Sequence, residues 1–474
     1  MDMSILDSLK GILGVKPVNI GRLNRHAAGS FCQSKDLKKD NLDILADIEV
    51  TEEYENIEKL LNNNLPILFV SGKAGTGKTT LIHYLREKLN KNVVVVAPTG
   101  VAALNAKGAT IHSFFRLPPR IITNEDIKGV RSRTVYEKID VLIVDEVSMV
   151  RADLIDAMDQ FLRLNGPRSN QPFGGIQVLF VGDLFQLPPV VKKQEEKILA
   201  ARRYESPFFF SAKVLQNCEF VPIELCKIFR QTDSKFTEML NRIRVAEQCC
   251  AVIHQINKRC IDEKDEAPSL ITLTCTNTAA DKINNLKLQQ LPGEVSSFIG
   301  EISGKFAVQE EKLPSPLNLQ LKPGAQVMFT KNDEQKRWVN GTIGRVVNFK
   351  NELIQVELVS DQSREVLDVH RVSWESFKYA YDYSKDKIKP VVVGKYTQFP
   401  LMLAWAVTIH KSQGKTLEKV RVDLGNGAFA SGQVYVALSR CRSLRDITLA
   451  RPIEKNEIKC DQRIKRFYEA IIQV

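Results

Sequence analysis

Four runs of apolar residues stand out in the first half of the chain, and they span residues 67–70, 93–97, 141–144 and 176–181. Each run ends at polar residues or at glycine, and apolar positions with helical spacing follow. This alternation is typical of buried parallel strands that are joined by crossover helices. We therefore predict an α/β domain over residues 48–205.

A second α/β pattern begins near residue 206, but residues 300–395 interrupt it with short strands. Within this interruption, Asn340-Gly341 is a strong hairpin signal. We predict that residues 206–299 and 396–474 form the second α/β domain, and that the residues between them form a small inserted β-barrel.

The composition of the 474-residue chain is that of a folded protein with a positive surface. Hydrophobic residues make up 43% and charged residues 26%, values that exclude a disordered or fibrous chain. A formal charge of +11 favours a polyanionic partner, but it does not choose between nucleic acid, an acidic protein and an anionic membrane. No apolar run approaches the ~20 residues that span a bilayer, so we expect no membrane segment. Residues 1–47 lack strong periodicity and predict a loosely ordered N-terminal arm.

The nine cysteines lie at spacings that do not fit a structural zinc site or a redox pair. Reduced, packed thiols are typical of intracellular compartments. The expected location is therefore the cytoplasm of a bacterial cell, or the nucleus or mitochondria of a eukaryotic one.

Residues 72–79 read Gly-Lys-Ala-Gly-Thr-Gly-Lys-Thr and fit the phosphate-loop pattern G-x-x-x-x-G-K-[ST] without exception. A predicted strand precedes them and a predicted helix follows, which argues against a chance glycine-rich turn. Backbone N–H groups of such a loop surround phosphates at the positive end of a helix. We expect Lys78 to reach the β- and γ-phosphates of ATP, and the Thr79 hydroxyl to ligate Mg²⁺. The predicted nucleotide-binding residues here are Gly72, Ala74, Gly75, Thr76, Gly77, Lys78, Thr79 and Thr80.

Polar residues follow the third and fourth apolar runs, at the sheet edge where open α/β folds bind ligands. Asp145 and Glu146 come directly after one run, and Gln186 follows the other. We expect Asp145 to hold Mg²⁺ through water, and Glu146 to orient and activate the attacking water. Gln186 is placed to contact the γ-phosphate and report its presence. Either segment alone could be a solvated turn, but together with the phosphate loop they favour nucleotide hydrolysis.

In this order the motifs resemble those of superfamily 1B helicases, specifically the petite-integration-frequency (Pif) helicases and their RecD-like relatives. The resemblance extends over about four hundred residues. Its most specific parts are the strings at residues 408–414 and 436–440, because a phosphate loop alone occurs in many families. The other matching motifs are Ala97-Pro98-Thr99-Gly100, Thr110-Ile111-His112-Ser113-Phe114, Asp145-Glu146-Val147-Ser148-Met149, residues 182–189 and Phe229-Arg230-Gln231.

The resemblance implies two RecA-like motor domains that close on one ATP molecule, with an SH3-like β-barrel inserted in the second. It implies that Arg230 and Arg440 are arginine fingers, which stabilise charge on the transferred phosphoryl group. It also adds Gly414 to the nucleotide-binding residues. The implied activity is ATP-driven movement from 5′ to 3′ on single-stranded DNA, with unwinding of forks or of duplexes that carry a 5′ tail.

Six further residues match positions that line the single-strand track of such helicases. Short hydroxyls and imidazoles can hold phosphates without reading the sequence, and an aromatic ring offers a stacking face for a base. The ring of Phe114 could instead belong to the core. The predicted DNA-binding residues are Pro98, Thr99, His112, Phe114, His410 and Ser412.

One feature of the family is absent from the sequence. Family members usually carry a glutamine that reads adenine before the first strand, but residues 51–56 contain none.

Two other functions would keep most of the motifs. A nucleotide-gated scaffold would need the phosphate loop, although Glu146, Arg230 and Arg440 argue for hydrolysis. An RNA motor, or a RecD-like subunit of a nuclease complex, would keep every motif.

Overall fold

The computed structural model describes residues 49–472, except residues 232, 261–269, 307–309, 311–312, 351 and 360–364. The predicted N-terminal arm, residues 1–47, lies outside the described residues. None of the helices in these ranges is both long enough and apolar enough to cross a bilayer.

The first α/β domain contains a six-stranded parallel sheet. Its strands are β1 (Ile67–Gly72), β2 (Val93–Ala97), β3 (Ala109–Thr110), β4 (Val141–Val144), β5 (Gln177–Gly182) and β6 (Val221–Leu225). They lie in the order β3-β2-β4-β5-β1-β6. Its helices are α1 (Glu52–Asn62), α2 (Lys78–Lys88), α3 (Gly100–Asn105), α4 (Ile111–Phe114), α5 (Thr134–Glu137), α6 (Ala152–Asn165) and α7 (Lys193–Ala201).

The four predicted apolar runs are confirmed as β1, β2, β4 and β5. Every residue of β1, β4 and β5 is buried, because helices cover both faces of the sheet. The boundary predicted at residue 205 falls too early, since β6 pairs in parallel with β1 through Leu68–Gly72 and Val221–Leu225. Pro222 and Glu224 interrupt the apolar pattern of β6, which is why the sequence did not indicate this strand.

The second α/β domain begins with α8 (Ser234–Val245), α9 (Cys249–Asn257), β7 (Ile271–Thr274) and α10 (Asn277–Gln290). A β-rich insert follows. Its strands are β8 (Ser296–Ile299), β9 (Glu301–Gly304), β10 (Asn318–Leu321), β11 (Gln326–Phe329), β12 (Ile343–Lys350), β13 (Leu353–Leu358), β14 (Val366–Val369), β15 (Val372–Asp382), β16 (Lys387–Gln398) and β17 (Leu401–Leu403). The insert therefore extends on both sides of the predicted range, residues 300–395.

The described strands of the insert form three antiparallel sheets, ordered β14-β13-β12-β11-β17, β15-β16-β9 and β10-β8. Asn340 and Gly341 lie in the connection between the paired strands β11 and β12, but this connection spans residues 330–342 and is longer than the tight two-residue turn that the signal predicted. The β character of the insert is confirmed, whereas an SH3-like barrel stays a prediction.

The chain returns to the second domain with β18 (Ala406–Thr408), β19 (Val420–Asp423), α11 (Gln433–Leu438), β20 (Ile447–Leu449) and α12 (Gln462–Ile472). The parallel sheet of this domain has the order β18-β7-β19-β20. Strand β7 thus pairs with β18 and β19 from beyond the insert. The second parallel sheet is therefore assembled from two separate parts of the chain.

Helix α12 packs on the first domain, although its residues were predicted to belong to the second. Ile464, Phe467 and Ile471 are buried in the core cluster that contains Phe69 of β1. The Phe467 ring stacks on Phe210 with centroids 4.3 Å apart. The end of the chain therefore connects the two domains.

Candidate active site

The phosphate loop lies between β1 and α2, as predicted. Gly75 and Gly77 have positive φ values of 84° and 81°, which a residue with a Cβ atom rarely adopts. The Lys78 ammonium donates to the carbonyl oxygens of Gly72 at 2.7 Å and Lys73 at 2.9 Å, so its side chain lies along the loop. Burial lowers the pKa of Lys78, although nearby carboxylates oppose this effect.

A cavity of about 560 Å³ opens over the loop. Of the predicted nucleotide-binding residues, Gly72 is not part of its lining, and the others line it together with Gly414. Gly72 instead acts through its carbonyl, which holds Lys78. The lining residues from the predicted set are Ala74, Gly75, Thr76, Gly77, Lys78, Thr79, Thr80, Glu146, Gln186, Arg230, Gly414 and Arg440.

Asp145 and Glu146 follow β4 at the carboxyl edge of the sheet, where the pattern placed them. Burial, and then the charge of Glu146, raise the pKa of Asp145 to about 7. Burial also raises the pKa of Glu146. Glu146 has left-handed backbone angles, φ 48° and ψ 45°, which are strained for a residue with a side chain. Backbone strain of this kind concentrates at functional sites.

Gln186 is buried, and its side chain meets groups from both α/β domains. Its amide nitrogen donates to Asp183 at 3.2 Å, and its carbonyl oxygen accepts from Gln413 at 3.3 Å. The same Gln413 nitrogen is 3.3 Å from a carboxylate oxygen of Glu146. Gln413 belonged to a matching motif but was not among the predicted site residues.

Arg230 lies against the phosphate loop, where a Cβ atom on Gly75 would be 2.5 Å from the Arg230 Cβ, and its side chain reaches groups of the second domain, which also supplies Arg440. Arg230 donates to the Thr416 hydroxyl at 3.0 Å, and Arg440 donates to the Val436 carbonyl at 2.8 Å and the Ser439 hydroxyl at 2.8 Å. Only 1% of Arg440 is exposed. Burial, and then the charge of Arg230, lower the pKa of Arg440 to about 9.

Two guanidinium groups at one cavity, with neutral oxygens as their hydrogen-bond acceptors, favour an anionic ligand. Desolvation of a cation is costly unless an opposite charge compensates it. Lys78 and the helix N-terminus of α2 add positive potential from the opposite side. The described arrangement thus suits a polyphosphate, with Glu146 beside it as a base.

Two aromatic residues that were not among the predicted site residues complete the cavity, although Phe229 belongs to a matching motif. The Tyr54 hydroxyl donates to the Gly77 carbonyl at 2.7 Å, and the Phe229 amide donates to the Gly75 carbonyl at 2.9 Å. Phe229 is 42% exposed. Tyr54 lies within the segment that lacks the adenine-reading glutamine. Phe229 directly precedes Arg230 in the chain, and this position could have indicated it.

The predicted DNA-binding residues differ in how they present their side chains. Pro98, Thr99, His112 and His410 are partly exposed. The Thr99 hydroxyl caps α3 by accepting from the Ala102 amide at 3.2 Å. Burial lowers the pKa of His410, which favours a neutral imidazole.

Phe114 and Ser412 do not fit the predicted contacts with DNA. The Phe114 ring is buried against Phe115, Tyr136 and Tyr379, so it has no free face on which a base could stack. The core alternative for Phe114 is therefore correct. The Ser412 side chain is fully buried and donates to the Ile409 carbonyl at 2.8 Å. Its hydroxyl stabilises a turn rather than facing a groove.

Comparisons with known sequences place these features in one family of enzymes. The family model that matches residues 47–266 describes a PIF1-like helicase. ATP-dependent DNA helicase RRM3 of Saccharomyces cerevisiae is 30% identical over 504 residues, covering 90% of this chain and 68% of that protein. ATP-dependent DNA helicase PIF1 of Homo sapiens is 34% identical over 418 residues, covering 85% and 61%. The chain thus spans between 61% and 68% of these two relatives.

Solved structures extend the similarity to the fold. Bacteroides sp Pif1 in complex with ADP-AlF4 aligns with a TM-score of 0.80 at 37% identity, over 90% of this chain and 97% of that one. Bacteroides Pif1 bound to ssDNA aligns with a TM-score of 0.64 at 38% identity, again over 90% and 97%. The overall arrangement of this chain is therefore more similar to the first of these structures.

Proposed function

Because the chain belongs to the PIF1-like helicase family, we propose that it is an ATP-dependent DNA helicase that moves from 5′ to 3′ on single-stranded DNA. The observation that carries the proposal is a single cavity lined by the phosphate loop and Glu146 of the first domain, by Arg440 of the second, and by Arg230 of the segment that joins the two domains. A site shared between two domains couples hydrolysis to their relative motion.

The chain supplies each group that phosphoryl transfer to water requires. The loop amides and Lys78 bind the phosphates, and Glu146 orients the attacking water and takes its proton. Gln186 contacts the γ-phosphate. Arg230 and Arg440 stabilise the charge that develops in the transition state, and this contribution requires the two domains to be closed.

Asp145 and the Thr79 hydroxyl fit a Mg²⁺ ion that accompanies ATP. The raised pKa of Asp145, beside a second carboxyl group, indicates a position where a cation would stabilise the ionised forms. Thr79 is exposed at the cavity. When bound, the ion neutralises charge on the phosphate oxygens. Thr79 and Asp145 are the residues that would hold this ion.

Single-stranded DNA is the proposed track, with forks or duplexes carrying a 5′ tail as substrates. Solved relatives include a Bacteroides Pif1 bound to ssDNA and a structure that describes unwinding at forked dsDNA by two coordinating Pif1 helicases. Pro98, Thr99, His112 and His410 are the partly exposed candidates for contacts with the strand. The proposal places the protein with cellular DNA, in a bacterial nucleoid or in a eukaryotic nucleus or mitochondrion.

The insert would act as an SH3-like barrel that grips DNA beside the motor domains. Its strands contribute most of one buried apolar cluster, which includes Leu319, Val327 and Val356 and also Leu288 of α10. Lys331, Lys336, Arg337 and Arg345 give the region positive charge. Its proposed role is in separating the duplex rather than in hydrolysis.

The test is ATPase activity of the full chain with no nucleic acid, with single-stranded DNA, with duplex DNA and with RNA. Stimulation chiefly by single-stranded DNA supports the proposal. Greater stimulation by RNA would instead identify an RNA motor, and ATP binding with no turnover under any condition would identify a nucleotide-gated scaffold.

A further inference from the structure

A buried tyrosine hydroxyl crosses the cleft between the two domains. Tyr435 lies on α11 of the second domain and is 3% exposed. Its hydroxyl accepts from the Ala74 amide of the phosphate loop at 3.0 Å and donates to an Asp183 oxygen at 3.2 Å. A hydroxyl can accept and donate at once. One atom of the second domain therefore contacts both the phosphate loop and the segment after β5.

The Asp183 carboxylate is fully buried and accepts hydrogen bonds from both domains. One of its oxygens accepts from the Arg244 guanidinium at 3.1 Å, and the other accepts from the Gln186 amide at 3.2 Å. Burial alone would raise the pKa of Asp183, but Arg244 and Lys78 hold it below the ordinary value. The carboxylate thus remains charged and fixes the side chains that donate to it.

The same hydrogen-bonded chain reaches Glu146, the proposed base. From Asp183 it passes through the Gln186 side chain to the Gln413 amide, which also donates to Glu146. Tyr435, Gln413 and Arg244 come from the second domain, whereas Ala74, Asp183, Gln186 and Glu146 come from the first. Opening of the cleft would therefore break the chain at each of the three residues from the second domain.

The backbone at the start of α11 fits closely against the same segment. Gly432 precedes Tyr435 with a positive φ of 73°, and a Cβ atom there would lie 2.3 Å from the Phe185 carbonyl oxygen. Such a close approach requires glycine. The position of Tyr435 relative to Asp183 and Gln186 is therefore set by direct packing.

We propose that Tyr435 is a positioning residue, which sets the phosphate loop and Gln186 in their reactive arrangement only when the second domain is closed. This inference rests on the proposed ATP hydrolysis. The alternative is that the buried Tyr435 hydroxyl only stabilises the fold. The two differ in consequence, because a positioning role affects the reaction rate whereas a core role affects only stability.

The test compares Tyr435→Phe with Tyr204→Phe in the full chain. Tyr204 is the control, because it is partly buried and its hydroxyl donates to the buried Asp156 at 2.8 Å, away from the nucleotide cavity. Tyr435→Phe should lower the DNA-stimulated kcat about tenfold, the effect of one lost hydrogen bond in the transition state. Its KM for ATP should change less than about twofold, and its thermal midpoint should match that of the control.

A double-mutant cycle tests whether Tyr435 acts through Gln186. In a Gln186→Ala background, Tyr435→Phe should lower kcat less than about threefold, because the shared route is already broken. A full tenfold loss in that background, an unchanged kcat in the single variant, or an equal loss in Tyr204→Phe would each overturn the inference. A parent protein that DNA does not stimulate would overturn the proposed function instead.

Discussion

At the scale of single residues, the site combines charges that are costly to bury with a strained backbone. Glu146 and Arg440 are the clearest cases, since one has left-handed backbone angles and the other is a guanidinium with 1% exposure. Neither feature stabilises the fold by itself. We propose that both features serve hydrolysis, in which a polyphosphate compensates the Arg440 charge and Glu146 accepts a proton from a water molecule.

Glu146→Gln should abolish turnover while nucleotide binding persists, because the phosphate loop and Asp145 remain in place. Lys78→Ala should lose turnover and weaken binding, since the phosphates lose their cation. Steady-state hydrolysis together with equilibrium binding of a fluorescent nucleotide separates the two variants. Hydrolysis by Glu146→Gln within a few-fold of the parent would show that another group is the base.

Arg230→Ala and Arg440→Ala should each lower the DNA-stimulated kcat by roughly 10³-fold, with a smaller effect on nucleotide affinity. The reason is that a guanidinium fork stabilises charge that develops in the transition state. Arg→Lys at the same positions is the control, because it keeps the charge and loses the fork. Normal stimulated turnover in both alanine variants would rule out catalysis by domain closure.

Most of the predicted nucleotide-binding residues line one cavity, because each motif is a local segment with its own short-range geometry. The exceptions depend on contacts between distant segments. Phe114 and Ser412 are buried by neighbours that no local pattern specifies, and Tyr54 reaches Gly77 across 23 positions of the chain. Partners of this kind become visible only when the fold is assembled.

At the scale of elements, two segments of the second half of the chain pack on the first domain. One is the hairpin of β15 and β16, where the buried Tyr379 hydroxyl accepts from the Val95 amide at 2.9 Å and donates to the Val95 carbonyl at 3.2 Å. The other is α12. The apolar pattern did not indicate either element, and it contains no information about which core each would join.

Tyr379→Phe should destabilise the docked hairpin by about 1 kcal/mol, because the backbone groups of Val95 lose a buried partner. Tyr383→Phe is the matched control, since this tyrosine is 78% exposed on the same hairpin. Hydrogen exchange of the β2 amides should accelerate in the first variant only. Equal exchange in the two variants would show that the Tyr379 hydroxyl does not hold the hairpin.

Phe467→Ala should lower the free energy of unfolding by about 3–5 kcal/mol, the range for a large aromatic residue removed from a core. The ring is 3% exposed, whereas Phe429, the control for substitution, is 61% exposed. Denaturant unfolding of both variants measures the difference. A loss below about 1 kcal/mol for Phe467→Ala would mean that α12 contributes little to joining the domains.

At the scale of the whole molecule, two α/β domains meet at one cavity, where we propose that they share one ATP molecule. The shared cavity, the hydrogen-bonded chain through Tyr435 and the crossing of α12 all lie between these domains. The sequence predicted two domains from alternating apolar patterns. It did not predict their contacts, because those depend on residues far apart in the chain.

The most direct test of this account is unwinding of two duplexes that differ only in their single-stranded tail. The parent chain, with ATP and Mg²⁺, should separate the 5′-tailed duplex and leave the 3′-tailed duplex intact, and Glu146→Gln should separate neither. Binding should weaken as salt rises, because phosphate contacts release counterions. Unwinding that requires a 3′ tail, or unwinding by Glu146→Gln at the parent rate, would contradict the account.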